Sequence, residues 1–247
     1  MPVEIPEHAN WSPRYKFQWY YVKKVLDAGG TVLNVGCSHD PLEFGDLVTH
    51  FDYDDWSAYH KHFVQGDVHY LDSIVGDKSY DAVVLGDVLE HVVHPVLVAV
   101  QCCTVARQYV IMTVFKEWRL PGHGQWLEEA REIGKQENIK LGFVDVEDYH
   151  RKHFPQRISG GDEPHLEHVN QFTVEDVDAV VIAMQGTGFD CEVFMEVDEP
   201  LPHEGHPLTN WLIAMRRRDA WEEREELEGI PRAAAQEVLE AVSSAHN

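Results

Sequence analysis

The segment YDAVVLGD (80–87) constrains the fold more than any other in this chain. Its centre is a continuous run of apolar, β-branched residues, and it stops abruptly at Gly86 and Asp87. Such a run suits a strand covered on both faces, as in a parallel sheet. Four other short runs share this character: TVLNVG (31–36), LVTHFDYD (47–54), HFVQGD (62–67) and QYVIMTVF (108–115). Several of them end in glycine or an acid. Between the fourth and fifth strands, VLEHVVHPVLVAVQCCTVA (88–106) reads as a helix with a kink near Pro95. Strands separated by helices or short connections imply an α/β fold with a mostly parallel sheet. Ligands of such sheets bind outside the carboxyl ends of the strands, so the polar residues there are the ones to inspect.

The regular pattern stops after the fifth strand. Residues 116–171 contain a helical stretch around 125–135 and a His-rich polar region. That is too long for a simple connection, and an inserted cap over a substrate region is expected. Thr173 with Asp176 then resembles a helix start, and the helix ends near Gly186 or Gly188. Two further strands follow, FDCEVFMEVD (189–198) and NWLIAMRRR (210–218). Residues 219–247 read as an acidic amphipathic tail that packs on the domain, mediates dimerisation or stays partly mobile. The chain therefore divides into a domain over 1–218 and a tail over 219–247.

Acidic residues outnumber basic ones 43 to 20, for a formal charge of −23. A chain so charged repels phosphate backbones, which argues against nucleic acid as a partner. No apolar run reaches the about 18–20 residues of a membrane span, and the N-terminus lacks the features of a signal peptide. A cytoplasmic protein without a membrane partner is expected. The four cysteines (Cys37, Cys102, Cys103 and Cys191) form no CxxC pair, and buried reduced thiols are expected. Among 16 histidines there are four H-x-x-H pairs: 91/94, 150/153, 165/168 and 203/206. None has an obvious third ligand, so no metal site is expected.

Taken in order, the strand ends resemble the class I S-adenosylmethionine-dependent methyltransferases, especially the group whose fourth strand runs into a D-V-L-E-H segment. The resemblance covers about residues 20–115, with a weaker echo over 165–218. It implies a doubly wound, Rossmann-like methyltransferase fold with S-adenosyl-L-methionine as cofactor. Gly36 matches the tight turn that lets backbone amides approach the methionine part. This chain departs from the family at Asn34, where an acid is usual, and at Ser38, where glycine is common. Asp52 matches the acid that holds the ribose hydroxyls, with Asp54 as second choice. Asp67 and Val68 match the adenine contacts, and Leu85 and Gly86 would line the cofactor. The spacing of Asp87 and Glu90 is that of a capping box, and a structural role is expected for both.

The resemblance implies O- or N-methylation of a small-molecule or sugar-containing acceptor. The alternatives are methylation of a protein or glycan, or a methyltransferase-fold module without catalysis. His168, His123 and His91 are the candidate bases, because histidine titrates near neutral pH. The aromatic segment around Trp11, Tyr15, Trp19 and Tyr20 is expected chiefly to pack its apolar stripe on the core.

Overall fold

A computed structural model describes residues 3–6, 12–92, 94–116, 172, 174–199 and 208–218. The first helix, α1 (Pro13–Asp27), starts where Ser12 accepts a hydrogen bond from the Tyr15 amide and proline occupies the first turn. Proline is suited to that position because its missing N–H would have no helical partner. Strands β1 (Val32–Val35), β2 (Thr49–Asp52), β3 (Phe63–Gln65), β4 (Tyr80–Gly86) and β5 (Ala106–Lys116) follow. Between them lie a short helix α2 (Leu71–Val75) and α3 (Pro95–Val105). Helix α4 (Val174–Gly186) precedes the long pair β6 (Phe189–Glu199) and β7 (Leu208–Arg217).

The seven strands form one sheet in the order β3-β2-β1-β4-β5-β7-β6. The first five pair in parallel, with Val35 opposite both Phe51 and Leu85. Strand β7 is antiparallel to β5 and to β6. The order reverses at β1, and the crevice above β1 and β4 is the topological switch point where such sheets bind ligands. The sheet is buried on both sides. One apolar cluster joins Val83, Leu85, Val110 and Met112 to α3 and α4. The other joins Ala82, Val84, Ile111 and Leu212 to α1. The expected α/β, mostly parallel, Rossmann-like architecture is therefore observed.

Two local expectations are corrected. The segment after β4 does not run as a kinked helix from 88. Asp87 has a left-handed backbone (φ 55°), 89–91 form a turn, and the helix begins at Pro95. Proline cannot donate in a helix interior, so it starts this helix instead of bending it. The capping-box reading of Asp87 and Glu90 falls with that correction, because no helix starts there. The crossover between β1 and β2 holds no α-helix, only a 3-10 turn at Gly45–Leu47. In α1, Trp19 and Tyr21 are fully buried, as the packing reading required. The inserted region, the start of α4 at Thr173, Trp11 and the tail lie outside the described residues, as do three of the four H-x-x-H pairs.

Candidate functional site

A cleft of roughly 300 Å³ opens at the carboxyl ends of β1, β2 and β4. Its walls hold Gly36, Ser38, Asp52, Asp67, Val68, Gly86 and His91 from the residues singled out above. His39, Tyr53, Trp56, Asp87 and Val88 complete much of the lining.

The turn after β1 is built for close approach. Gly36 has φ 69°, and a Cβ there would stand 2.5 Å from a Val88 methyl. Its amide and that of Cys37 both donate to the Phe51 carbonyl. The chain then passes through left-handed Ser38, Asp40 and Glu43 before Gly45. Non-glycine residues pay about 1–2 kcal/mol each in that region, so the loop holds its shape through specific bonds. Asp40 supplies one, accepting the Gly45 amide at 2.7 Å. Asp52 supplies another, accepting the Ser38 amide at 2.8 Å through one oxygen and the Asp54 amide at 3.2 Å through the other. A carboxylate has about four lone-pair sites, so Asp52 keeps capacity toward the cleft it lines.

Across the cleft, Asp67 accepts the His69 backbone amide at 2.9 Å and the His69 ring at 2.7 Å. Burial alone would raise its carboxyl, but the His69 bonds outweigh that and hold it below the usual carboxylate range. Asp87 is tied from two sides. Its Oδ1 accepts the Thr113 hydroxyl at 2.9 Å, and its Oδ2 pairs with Arg14 of α1. Thr113 in turn accepts from Gln18 at 2.9 Å, and the Gln18 amide packs on Gly86. Helix α1 thus braces the rim of the cleft through polar groups as well as its aromatic stripe. Glu90 is fully buried. One of its oxygens accepts the Phe115 amide, and the other has no partner. Burial, and then the Asp87 charge, push its carboxyl well above the usual 4.5.

The remaining residues singled out from the sequence do not line this cleft. Asn34 is buried, with its amide nitrogen 3.4 Å from His50 Nδ1. Its direction is inward because its strand carries buried residues on both faces. Leu85 is fully buried in the core beneath the strand end. Asp54 meets the site through its amide bond to Asp52. His123 and His168 lie outside the described residues, leaving His91 as the one candidate base placed at the cleft.

Trp56, Tyr53 and the Arg14–Asp87–Thr113 chain were missed by sequence reasoning. Trp56 follows the acidic run FDYDD, and an aromatic four residues beyond the strand-end acid was the available signal. The structure also gathers Cys37, His50 and His60, with one ligand atom from each within 4.8 Å of the others. Pairs at i, i+3 could not reveal this group, because its members come from three separate segments.

No protein-family model matches the sequence, and no curated protein matches it. Solved structures do resemble the fold. One is a SAM-dependent methyltransferase from Methanosarcina mazei, at 14% identity and a TM-score of 0.50, covering 76% of this chain and 92% of that one. Another is a Listeria monocytogenes protein assigned as an S-adenosylmethionine-dependent methyltransferase. It matches at 16% identity and a TM-score of 0.50, covering 82% of this chain and 99% of that one. The chain therefore has the fold of these methyltransferases.

Proposed function

We propose that this chain is an S-adenosylmethionine-dependent methyltransferase that methylates an oxygen or nitrogen of a small-molecule or sugar-containing acceptor. The observation that carries the reading is the disposition of Asp52. It stands at the end of β2, is fixed by the Ser38 amide, and lines the cleft bordered by Gly36 and Asp67. The residues fit the cofactor on three counts. Gly36 lets the chain turn at positive φ (69°) in the cleft wall, tight against Val88. Asp52 has acceptor capacity for a pair of hydroxyls, and the cleft volume lies at the lower end of the range for small-molecule sites.

When bound, the cofactor supplies a methyl group on a positively charged sulfur. Asp52 would take the ribose hydroxyls, while Asp67 and Val68 would meet the base. Gly36 would bring backbone close to the methionine end. Asp87 and His91 border the side from which an acceptor approaches. Fixing the acceptor there is the larger part of the task, since aligned groups can gain about 7–11 kcal/mol over free encounter. His91 would hold the acceptor's proton where that acceptor is a hydroxyl. Three aspartates in the cleft wall favour a cationic cofactor and a neutral or cationic acceptor. We read the protein as cytoplasmic. Among the described residues, no helix is long and apolar enough to cross a membrane.

The test is calorimetric titration of the full chain with S-adenosylmethionine and with S-adenosylhomocysteine. Micromolar binding of either supports the reading. A folded protein, free of co-purified ligand, that binds neither would favour the non-catalytic module instead.

A further inference from the structure

Beside the cleft, behind Asp52, lies a buried group that the methyl-transfer reading does not use. Cys37 follows Gly36 in the turn, His50 sits on β2, and His60 closes the irregular segment after Trp56. Cys37 and His50 are each 1% exposed and His60 is 7% exposed. The imidazoles stack with centroids 4.0 Å apart and 17° between their planes.

The hydrogen bonds set the tautomers. His50 Nε2 lies 2.9 Å from the Gly45 carbonyl, and His60 Nε2 lies 2.8 Å from the Ser38 carbonyl. A carbonyl only accepts, so both Nε2 atoms carry the proton and each Nδ1 holds a lone pair, that of His50 facing the Asn34 amide nitrogen at 3.4 Å, which a metal would displace. Metal-ligating histidines commonly show this arrangement, with the outer N–H given to a backbone carbonyl. Behind His50 stands Asp40, one of whose oxygens is 4.0 Å from Nε2. Its other oxygen is buried with no partner. A buried unsatisfied carboxylate oxygen beside a histidine calls for an explanation, and a nearby cation is one.

We propose that Cys37, His50 and His60 form a binding site for a borderline-soft divalent cation, zinc by preference, which ties the turn after β1 to the segment after β2. The donor set, one sulfur and two nitrogens, is of the kind zinc takes, and a water can complete a tetrahedron. Zinc bonds of about 2.0–2.3 Å place tetrahedral ligand atoms roughly 3.3–3.7 Å apart, so the group needs only modest contraction. The ring stack must open, because lone pairs in parallel planes cannot meet at one ion. Binding therefore requires the His60 ring, which lies outside any strand, to turn while His50 stays on β2. The thiol proton leaves to solvent as the sulfur binds. Asp40 remains as a negative charge behind His50. His60 also donates its backbone amide to the Trp56 carbonyl, so the ion would steady a wall of the cleft. The inference is independent of which cofactor the cleft takes.

The experiment uses the full chain, stripped with a chelator and titrated with zinc alone, then with cobalt(II). An equimolar, tight zinc complex is expected. The cobalt form should show thiolate-to-metal charge transfer in the near-ultraviolet and tetrahedral bands in the visible. Cys37→Ser should abolish the charge transfer. His60→Gln keeps an amide donor for the Ser38 carbonyl but offers no imidazole, so it should retain the fold and bind zinc about tenfold or more weakly. Surface histidine pairs would bind zinc without regard to either substitution. Absence of charge transfer in the native chain overturns the proposal. So does equal zinc affinity in native and His60→Gln proteins, or charge transfer that persists without Cys37.

Discussion

The sheet has a cavity at each end of its strands, and the two are built in opposite ways. At the carboxyl ends lies the cleft of Gly36, Asp52 and Asp87. At the other end lies a smaller cavity of roughly 200 Å³ between Lys24, Gly29, Gly30, Asp81, Gln108 and Tyr109. Each has a positive-φ glycine and an aspartate, yet only one reads as a ligand site. Asp81 gives its oxygens to its own neighbours: the Thr31 amide at 2.8 Å, the Thr31 hydroxyl at 3.0 Å, and longer contacts with Arg107 and Gln108. Burial would raise its carboxyl, but the Thr31 bonds and then Arg107 hold it low. It closes the sheet. Asp52 accepts two backbone amides, stands beside the Cys37 thiol and lines an open cleft. Backbone strain divides the same way. Ser38, Asp40, Glu43 and Asp87 are left-handed around the cleft, and Lys78 is the only other such non-glycine residue among those described. A carboxylate saturated by its own fold is structural, while one held by strained backbone with capacity to spare suits a ligand.

The two glycines offer the largest expected effect. Gly36→Ala meets both a left-handed backbone and a Val88 methyl at 2.5 Å, whereas Gly29 (φ 78°) has nothing within 4 Å of the added atom. Gly36→Ala should cost about 2–4 kcal/mol, combining strain and overpacking, and should remove cofactor binding. Gly29→Ala should cost only about 1–2 kcal/mol and leave binding intact. Urea unfolding curves and calorimetry check both. Similar losses of stability in the two variants would erase the distinction between the ends of the sheet.

The two aspartates come next. Asp52→Ala should weaken cofactor binding by about 1–3 kcal/mol, roughly five- to 150-fold in Kd. Asp81→Ala should lower the unfolding midpoint by a similar energy and leave Kd unchanged. If Asp52→Ala folds and binds normally, the ribose role passes to another residue or disappears.

How much of this could be read from the sequence also differs between regions. The strands were legible because buried parallel strands are continuous apolar runs, and Val83, Val84 and Leu85 are fully buried. That Gly36, Asp52 and Asp67 share one edge of the sheet was legible because each stands at or just after a strand end as a small or acidic residue. The stretch after β4 was misread. Its apolar spacing fits a helix, but the Arg14 and Thr113 bonds to Asp87 come from elements far away in sequence and turn the chain first. Asn34 was misplaced for a similar reason, since its neighbour His50 lies on the next strand. Long-range polar partners leave no periodicity to detect.

Glu90 provides the last and smallest test, and it asks whether the polar network at the cleft is tuned for binding at a cost in stability. The carboxyl is buried beside Asp87, with one oxygen unpartnered and its pKa raised well above 4.5. The folded protein therefore holds this proton more tightly than the unfolded chain does. That contribution is fully present below pH 4.5 and is lost as pH rises through the elevated folded value. Glu90→Gln removes the titration while keeping an oxygen for the Phe115 amide. Its melting temperature should therefore gain on the native protein as pH increases from 5 to 8. Thermal unfolding at both values measures it. A gap that does not change with pH would mean Glu90 is ionised in the fold. Asp87 and Arg14 would then form a different electrostatic unit from the one described, and the end of the sheet with the cleft would be less strained than the comparison with Asp81 suggests.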